Sequence, residues 1–103
     1  MENLKKDIRK FVEDRGWAAL SNPASLAKSI SIESAELLEL FQWKEISLED
    51  IKNDSKIKER IAEELADVLI YSLEMTEVLD MNVEEIIREK MKKNSIKYPL
   101  KND

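Results

Sequence analysis

The stretches ESAELLELF at residues 33–41 and IAEELADVLIYSL at residues 61–73 decide the fold. Both are apolar runs with acids set three residues apart, Glu33-x-x-Glu36 and Glu64-x-x-Asp67. Neither run shows the alternation of a strand. An i, i+3 spacing places both acids of a pair on one face of a helix. At about 100° per residue, Leu26, Ile30, Leu37, Leu40 and Phe41 form one apolar stripe. Glu33 falls inside that stripe and Glu36 at its edge. In the later run Glu64 falls among Ile57, Val68, Tyr71, Met75 and Val78, with Asp67 at the edge of the arc.

Working outward, a first amphipathic helix is expected over 2–15, with Leu4, Ile8, Phe11 and Val12 on one face and Gly16 ending it. Asn22-Pro23 supplies an N-cap followed by Pro at the first helical position, opening a helix over 23–43. Ser47-x-x-Asp50 resembles a capping box for a short helix near 48–53. Asp54 and Ser55 are candidate caps for a long helix over 56–79, and Asn82-x-x-Glu85 opens a last one over 83–96. Tyr98-Pro99 ends the pattern, and the final Lys-Asn-Asp is expected to fray. These elements predict an all-α, four-helix bundle forming a single domain over residues 1–103.

Composition narrows the chemistry. The 103 residues include one Gly, two Pro, no Cys and no His. The absence of Cys removes disulfides, zinc fingers and thiol nucleophiles. The absence of His removes the commonest general base and the Glu-x-x-His pattern of di-iron bundles. A metal held by this chain is therefore held by oxygen, which favours Mg²⁺, with Mn²⁺ as the alternative. A net charge of −5 argues against a nucleic-acid polymer as partner. No run resembles a signal peptide or a membrane span, so a cytoplasmic location is expected.

Acids inside an apolar stripe need a partner, because an unpaired buried carboxylate is costly or shifts its pKa. Lys28 is the only Lys or Arg of the second helix before Lys44 and lies off its apolar centre, as Arg60 does on the long helix. Four carboxylates meeting in a bundle interior instead point to a divalent cation. Apolar residues ring most of the long helix: Ile57, Ile61, Leu65, Ala66, Val68, Leu69, Ile70, Leu73 and Met75. A helix of that kind is covered on several sides, and a partner subunit is the expected source in so short a chain.

At these residues the chain resembles the MazG-like nucleoside triphosphate pyrophosphohydrolases, whose pattern is Glu-x-x-Glu, a spacer, then Glu-x-x-Asp. Arg15-Gly-Trp17, Glu36-Leu-Leu-Glu-Leu-Phe-Gln-Trp43, Glu63-Glu-Leu-Ala-Asp-Val-Leu-Ile-Tyr71 and Lys90-x-x-x-Asn94-x-x-Lys97-Tyr98-Pro99 look like the dCTP pyrophosphatase branch. The likeness runs from about residue 4 to 99. It implies hydrolysis of a nucleoside triphosphate, with dCTP or a related pyrimidine dNTP as substrate, to a monophosphate and pyrophosphate in nucleotide-pool house-cleaning. It also implies metal binding by Glu33, Glu36, Glu64 and Asp67, and a homo-oligomer, as a dimer or a dimer of dimers. Glu36, then Glu33, are the candidate general bases. Glu39 is open to either a second metal or solvent. Lys90, Asn94, Lys97 and Tyr98 would contact phosphate or sugar, and Trp17, Trp43 and Tyr71 the base. One departure stands out: Ser21 lies where that branch often has His. A non-catalytic helical module binding a nucleotide or a protein is the alternative reading.

Overall fold

The structure, a computed structural model, describes residues 1–101; Asn102 and Asp103, and with them most of the expected frayed end, lie outside the described residues. Helices α1 (Glu2–Asp14), α2 (Pro23–Glu39), α3 (Leu48–Lys52), α4 (Ser55–Val78) and α5 (Val83–Lys97) follow in order, with a 3₁₀ turn at Ala18–Leu20. No strand occurs among the described residues. The all-α reading stands, with the four expected long helices and the short third one in place.

Local chemistry sets the boundaries. Asn22 caps α2 by accepting from the Ser25 amide, with Pro23 at the first helical position. Ser47 and Asp50 form a reciprocal capping box at α3. Asp54 caps α4 through the amides of Lys56 and Ile57, so Ser55 is the first helical residue and not the cap. Asn82 caps α5 through the Glu85 amide. α2 stops at Glu39, short of the expected Trp43. Beyond it the amides of Leu40, Phe41 and Gln42 bond three residues back, to Leu37, Leu38 and Glu39. The helix thus tightens into a 3₁₀ turn, a common way of satisfying terminal carbonyls.

Two helix ends close in the same manner. After α1, Gly16 takes φ +69°, its amide bonds Glu13 O, and the Trp17 amide bonds Val12 O. After α4, Asp80 takes φ 53°, its amide bonds Glu77 O, and the Met81 amide bonds Thr76 O. Each is the paired 5→2 and 6→1 closure of a Schellman motif. The first swings Trp17 back onto Phe11, whose ring lies 6.0 Å away edge-on. The second is held by Lys5, a buried lysine whose Nζ donates to Met81 O at 3.2 Å and lies 3.9 Å from Glu77.

α2 and α4 pack along their length, α1 and α3 lie against α4, and α5 makes no comparable contact with any helix. Among the described residues, Leu26 and Leu73 are the only buried apolar side chains. The radius of gyration is 17.0 Å, against about 13 Å for a compact chain of 100 residues. α5 leaves Ile86, Ile87, Met91 and Ile96 exposed, and α4 does the same with Leu65, Leu69 and Ile70. The described chain therefore has an α2–α4 core with an extended apolar surface, and no helix long and apolar enough to cross a membrane.

Candidate active site

The α2–α4 seam brings the acid pairs together. Glu33, Glu64 and Asp67 each place a carboxylate oxygen within 4.8 Å of the other two. All three are half-buried. Glu33 Oε2 and Glu64 Oε2 are fully buried and have no hydrogen-bond partner. Glu36, one turn along α2 from Glu33, is more exposed and its carboxyl sits against both Glu33 and Glu64.

The electrostatics follow from this crowding. Burial, then contact with Glu36 and repulsion from Asp67 and Glu64, push the Glu33 carboxyl up to about 7. Burial and the Glu36 charge also push Glu64 up. The Tyr71 hydroxyl is raised by burial and by Glu33, which places it beside the cluster. Orphaned buried oxygens on acids held this close are what a hard divalent cation would satisfy, and an all-oxygen donor set suits Mg²⁺ or Mn²⁺.

Two clefts reach the cluster. One, of about 540 Å³, opens between α1, α2, α4 and the connector, and meets the acids at Asp67. Phe11, Trp17, Leu20, Leu26, Ile70 and Tyr71 give it apolar and aromatic walls, while Ser21 and Glu74 add polar groups. That volume lies within the range of small-molecule sites. The other, of about 300 Å³, is polar and meets the acids at Glu36 and Glu64, with Glu39, Trp43 and Arg60 on its walls.

A sequence profile of the MazG-like family matches residues 28–103. The chain belongs to the MazG-like family. It is 32% identical to dCTP pyrophosphatase 1 of Rattus norvegicus over 102 residues, 97% of this chain and 59% of that protein. It is 32% identical to dCTP pyrophosphatase 1 of Homo sapiens over 101 residues, 96% of this chain and 59% of that one. The chain thus spans about three-fifths of the length of the curated relatives it matches. The crystal structure of a pyrophosphatase from Archaeoglobus fulgidus superposes with a TM-score of 0.86 at 46% identity, covering 97% of this chain and 93% of that one.

The predicted residues of this MazG-like chain divide into four groups. Glu33, Glu64 and Asp67 converge, with Glu36 against them. Trp17 and Tyr71 line the aromatic cleft. Trp43, 85% exposed, stands on the polar cleft, not in the aromatic one. Lys90, Asn94, Lys97 and Tyr98 all belong to α5 or its end and line neither cleft. Lys97 Nζ lies 5.3 Å from the Tyr98 ring centre. Sequence reasoning missed the site-facing positions of Phe11, Glu74 and Arg60. The signal for Glu74 was available, since Asp67, Tyr71 and Glu74 recur at i, i+4 and i+7 on one helical face.

Proposed function

We propose that this chain hydrolyses a deoxynucleoside triphosphate, dCTP or a related pyrimidine dNTP, to the monophosphate and pyrophosphate. The observation that carries the reading is a set of crowded, half-buried carboxylates opening onto an aromatic cleft. The likeness to dCTP pyrophosphatases and to an archaeal pyrophosphatase supports it.

Glu33, Glu36, Glu64 and Asp67 would hold Mg²⁺, with Mn²⁺ as a substitute. Held there, such an ion would supply positive charge against the phosphates and lower the pKa of an attacking water. Glu36 is the first choice to take the proton from the attacking water, because it is the most exposed acid of the four. Glu33 is the second. Trp17 and Tyr71 flank the base in the aromatic cleft, where ring faces favour stacking. Trp43 closes the polar side, and Glu39, on the same cleft, is open to either a second metal or solvent.

Lys90, Asn94, Lys97 and Tyr98 bind phosphate or sugar. Because α5 stands off its own chain, these groups serve the site of a neighbouring copy in a homo-oligomer, a dimer or a dimer of dimers. The exposed apolar faces of α4 and α5 are the surfaces such an assembly would cover. Residues 1–103 act as one domain in the cytoplasm, with neither a membrane nor a nucleic-acid polymer as partner.

The test is incubation of the protein with a panel of dNTPs and Mg²⁺, with the products resolved. The expected products are a monophosphate and pyrophosphate. A nucleoside diphosphate with orthophosphate, or binding without turnover, overturns the reading; the latter favours a non-catalytic nucleotide-binding module. Glu64→Gln is expected to remove most activity while leaving the fold intact.

A further inference from the structure

Glu74 is a buried carboxylate that neither the acid cluster nor the fold accounts for. It is 8% exposed, yet it lines the aromatic cleft. Among the described residues its one side-chain hydrogen bond is accepted from Ser21 Oγ at 3.4 Å, the long end of the useful range. Among the described residues no Lys or Arg nitrogen comes within 4 Å of it. Lys5 and Arg9, which border the smaller cavity behind it, are engaged by Glu77 at 3.9 and 3.2 Å. Burying a carboxyl with so little compensation costs stability, so its retention in a ligand-sized cleft points to a ligand group.

Position says which group. Asp67, Tyr71 and Glu74 share one face of α4, and seven residues of helix put Glu74 roughly 10 Å along the axis from Asp67. A nucleotide whose phosphates lie at the acid cluster and whose ring lies against Tyr71 and Trp17 presents the far edge of its base there. An ionised carboxylate only accepts hydrogen bonds. It matches an exocyclic amine and opposes a carbonyl oxygen in the same place.

We infer that Glu74, positioned by Ser21, is the specificity-determining residue of the cleft, accepting a hydrogen bond from the exocyclic amino group of a cytosine-type base. This rests on the pyrimidine nucleotide reading above and supplies the choice within it: cytosine over uracil or thymine. Glu74→Gln keeps the shape and replaces an acceptor by a group that can also donate to a carbonyl, so discrimination collapses. Ser21→Ala leaves the carboxylate but frees it to move, so discrimination weakens.

The experiment measures kcat/KM for dCTP and dUTP with Mg²⁺, and equilibrium binding of dCMP, dUMP and N4,N4-dimethyl-dCMP without turnover. Wild type is expected to favour cytosine at least tenfold in both measurements and to bind the dimethylated analogue at least tenfold more weakly than dCMP. Glu74→Gln is expected to erase or invert the preference, chiefly by losing dCTP, and Ser21→Ala to reduce it several-fold. Equal binding of dCMP and its dimethylated analogue by wild type overturns the inference whether or not the variants fold. So does an unchanged dCTP-to-dUTP ratio in a folded Glu74→Gln protein. Absence of turnover for every dNTP overturns the activity reading alone, since the monophosphate binding series still decides the role of Glu74.

Discussion

Glu33 on α2 and Glu64 on α4 face one another across the helix seam, carboxylate oxygens within 4.8 Å, each with Oε2 buried and unpaired. Two like charges so placed destabilise the ion-free protein, and a cation between them reverses the sign. Mg²⁺ or Mn²⁺ at millimolar concentration is therefore expected to raise the thermal midpoint by several degrees. Glu64→Gln should melt higher than wild type without metal and lose most of the metal-induced rise. Scanning calorimetry with and without the ion checks both.

The same crowding gives a pH dependence. Glu33 titrates at about 7 in the folded chain, against an ordinary value of 4.5. Between those values the folded state holds a proton that the unfolded state has released, so stability falls as pH rises. The contribution is fully present below about pH 4.5 and lost as pH passes about 7. Glu64, raised by burial and by Glu36, acts with the same sign. The ion-free protein should therefore lose stability between about pH 4.5 and 7 through Glu33, and Glu33→Gln should flatten that slope. Denaturant unfolding at a series of pH values, in chelator, measures it.

The acid cluster was legible because helix periodicity is a local rule: i, i+3 spacing fixed which carboxylates share a face before any packing was known. Caps at Asn22, Ser47, Asp54 and Asn82 were legible for the same reason. The end of α2 was not, because Leu40–Trp43 has helix-compatible residues and only its bonding pattern shows the tightening. Trp43, just past that turn, lines the polar cleft. The stand-off of α5 was illegible too, since its apolar residues read as a bundle face whichever chain covers them. Glu74 was not legible as a site residue, because only the cleft shows what it faces.

Gly16 isolates a backbone effect. It holds φ +69°, and a Cβ there would meet nothing within 4 Å. Gly16→Ala should thus cost about 1 kcal/mol through conformation alone, with no clash. Because Gly16 is what turns Trp17 onto Phe11, the variant should also loosen the aromatic cleft and raise KM more than it lowers kcat. Denaturant titration beside steady-state kinetics separates the two effects; an unchanged unfolding midpoint would remove the strain argument.

Ile87 tests the standing of α5. It is 52% exposed on a helix that makes little contact with its own chain, so a charge there has nothing to disrupt within one copy. Ile87→Asp should leave helix content unchanged by circular dichroism. If α5 docks on another copy, as its uncovered Ile86, Ile87 and Met91 suggest, burying that charge costs several kcal/mol per interface. The assembly should then fall apart into smaller species in sedimentation velocity at micromolar protein. Activity should fall with it if, as proposed, Lys90, Asn94 and Lys97 serve the site of a neighbouring copy. Monomeric wild type, or an assembly indifferent to Ile87→Asp, would return those three residues to an ordinary solvated helix.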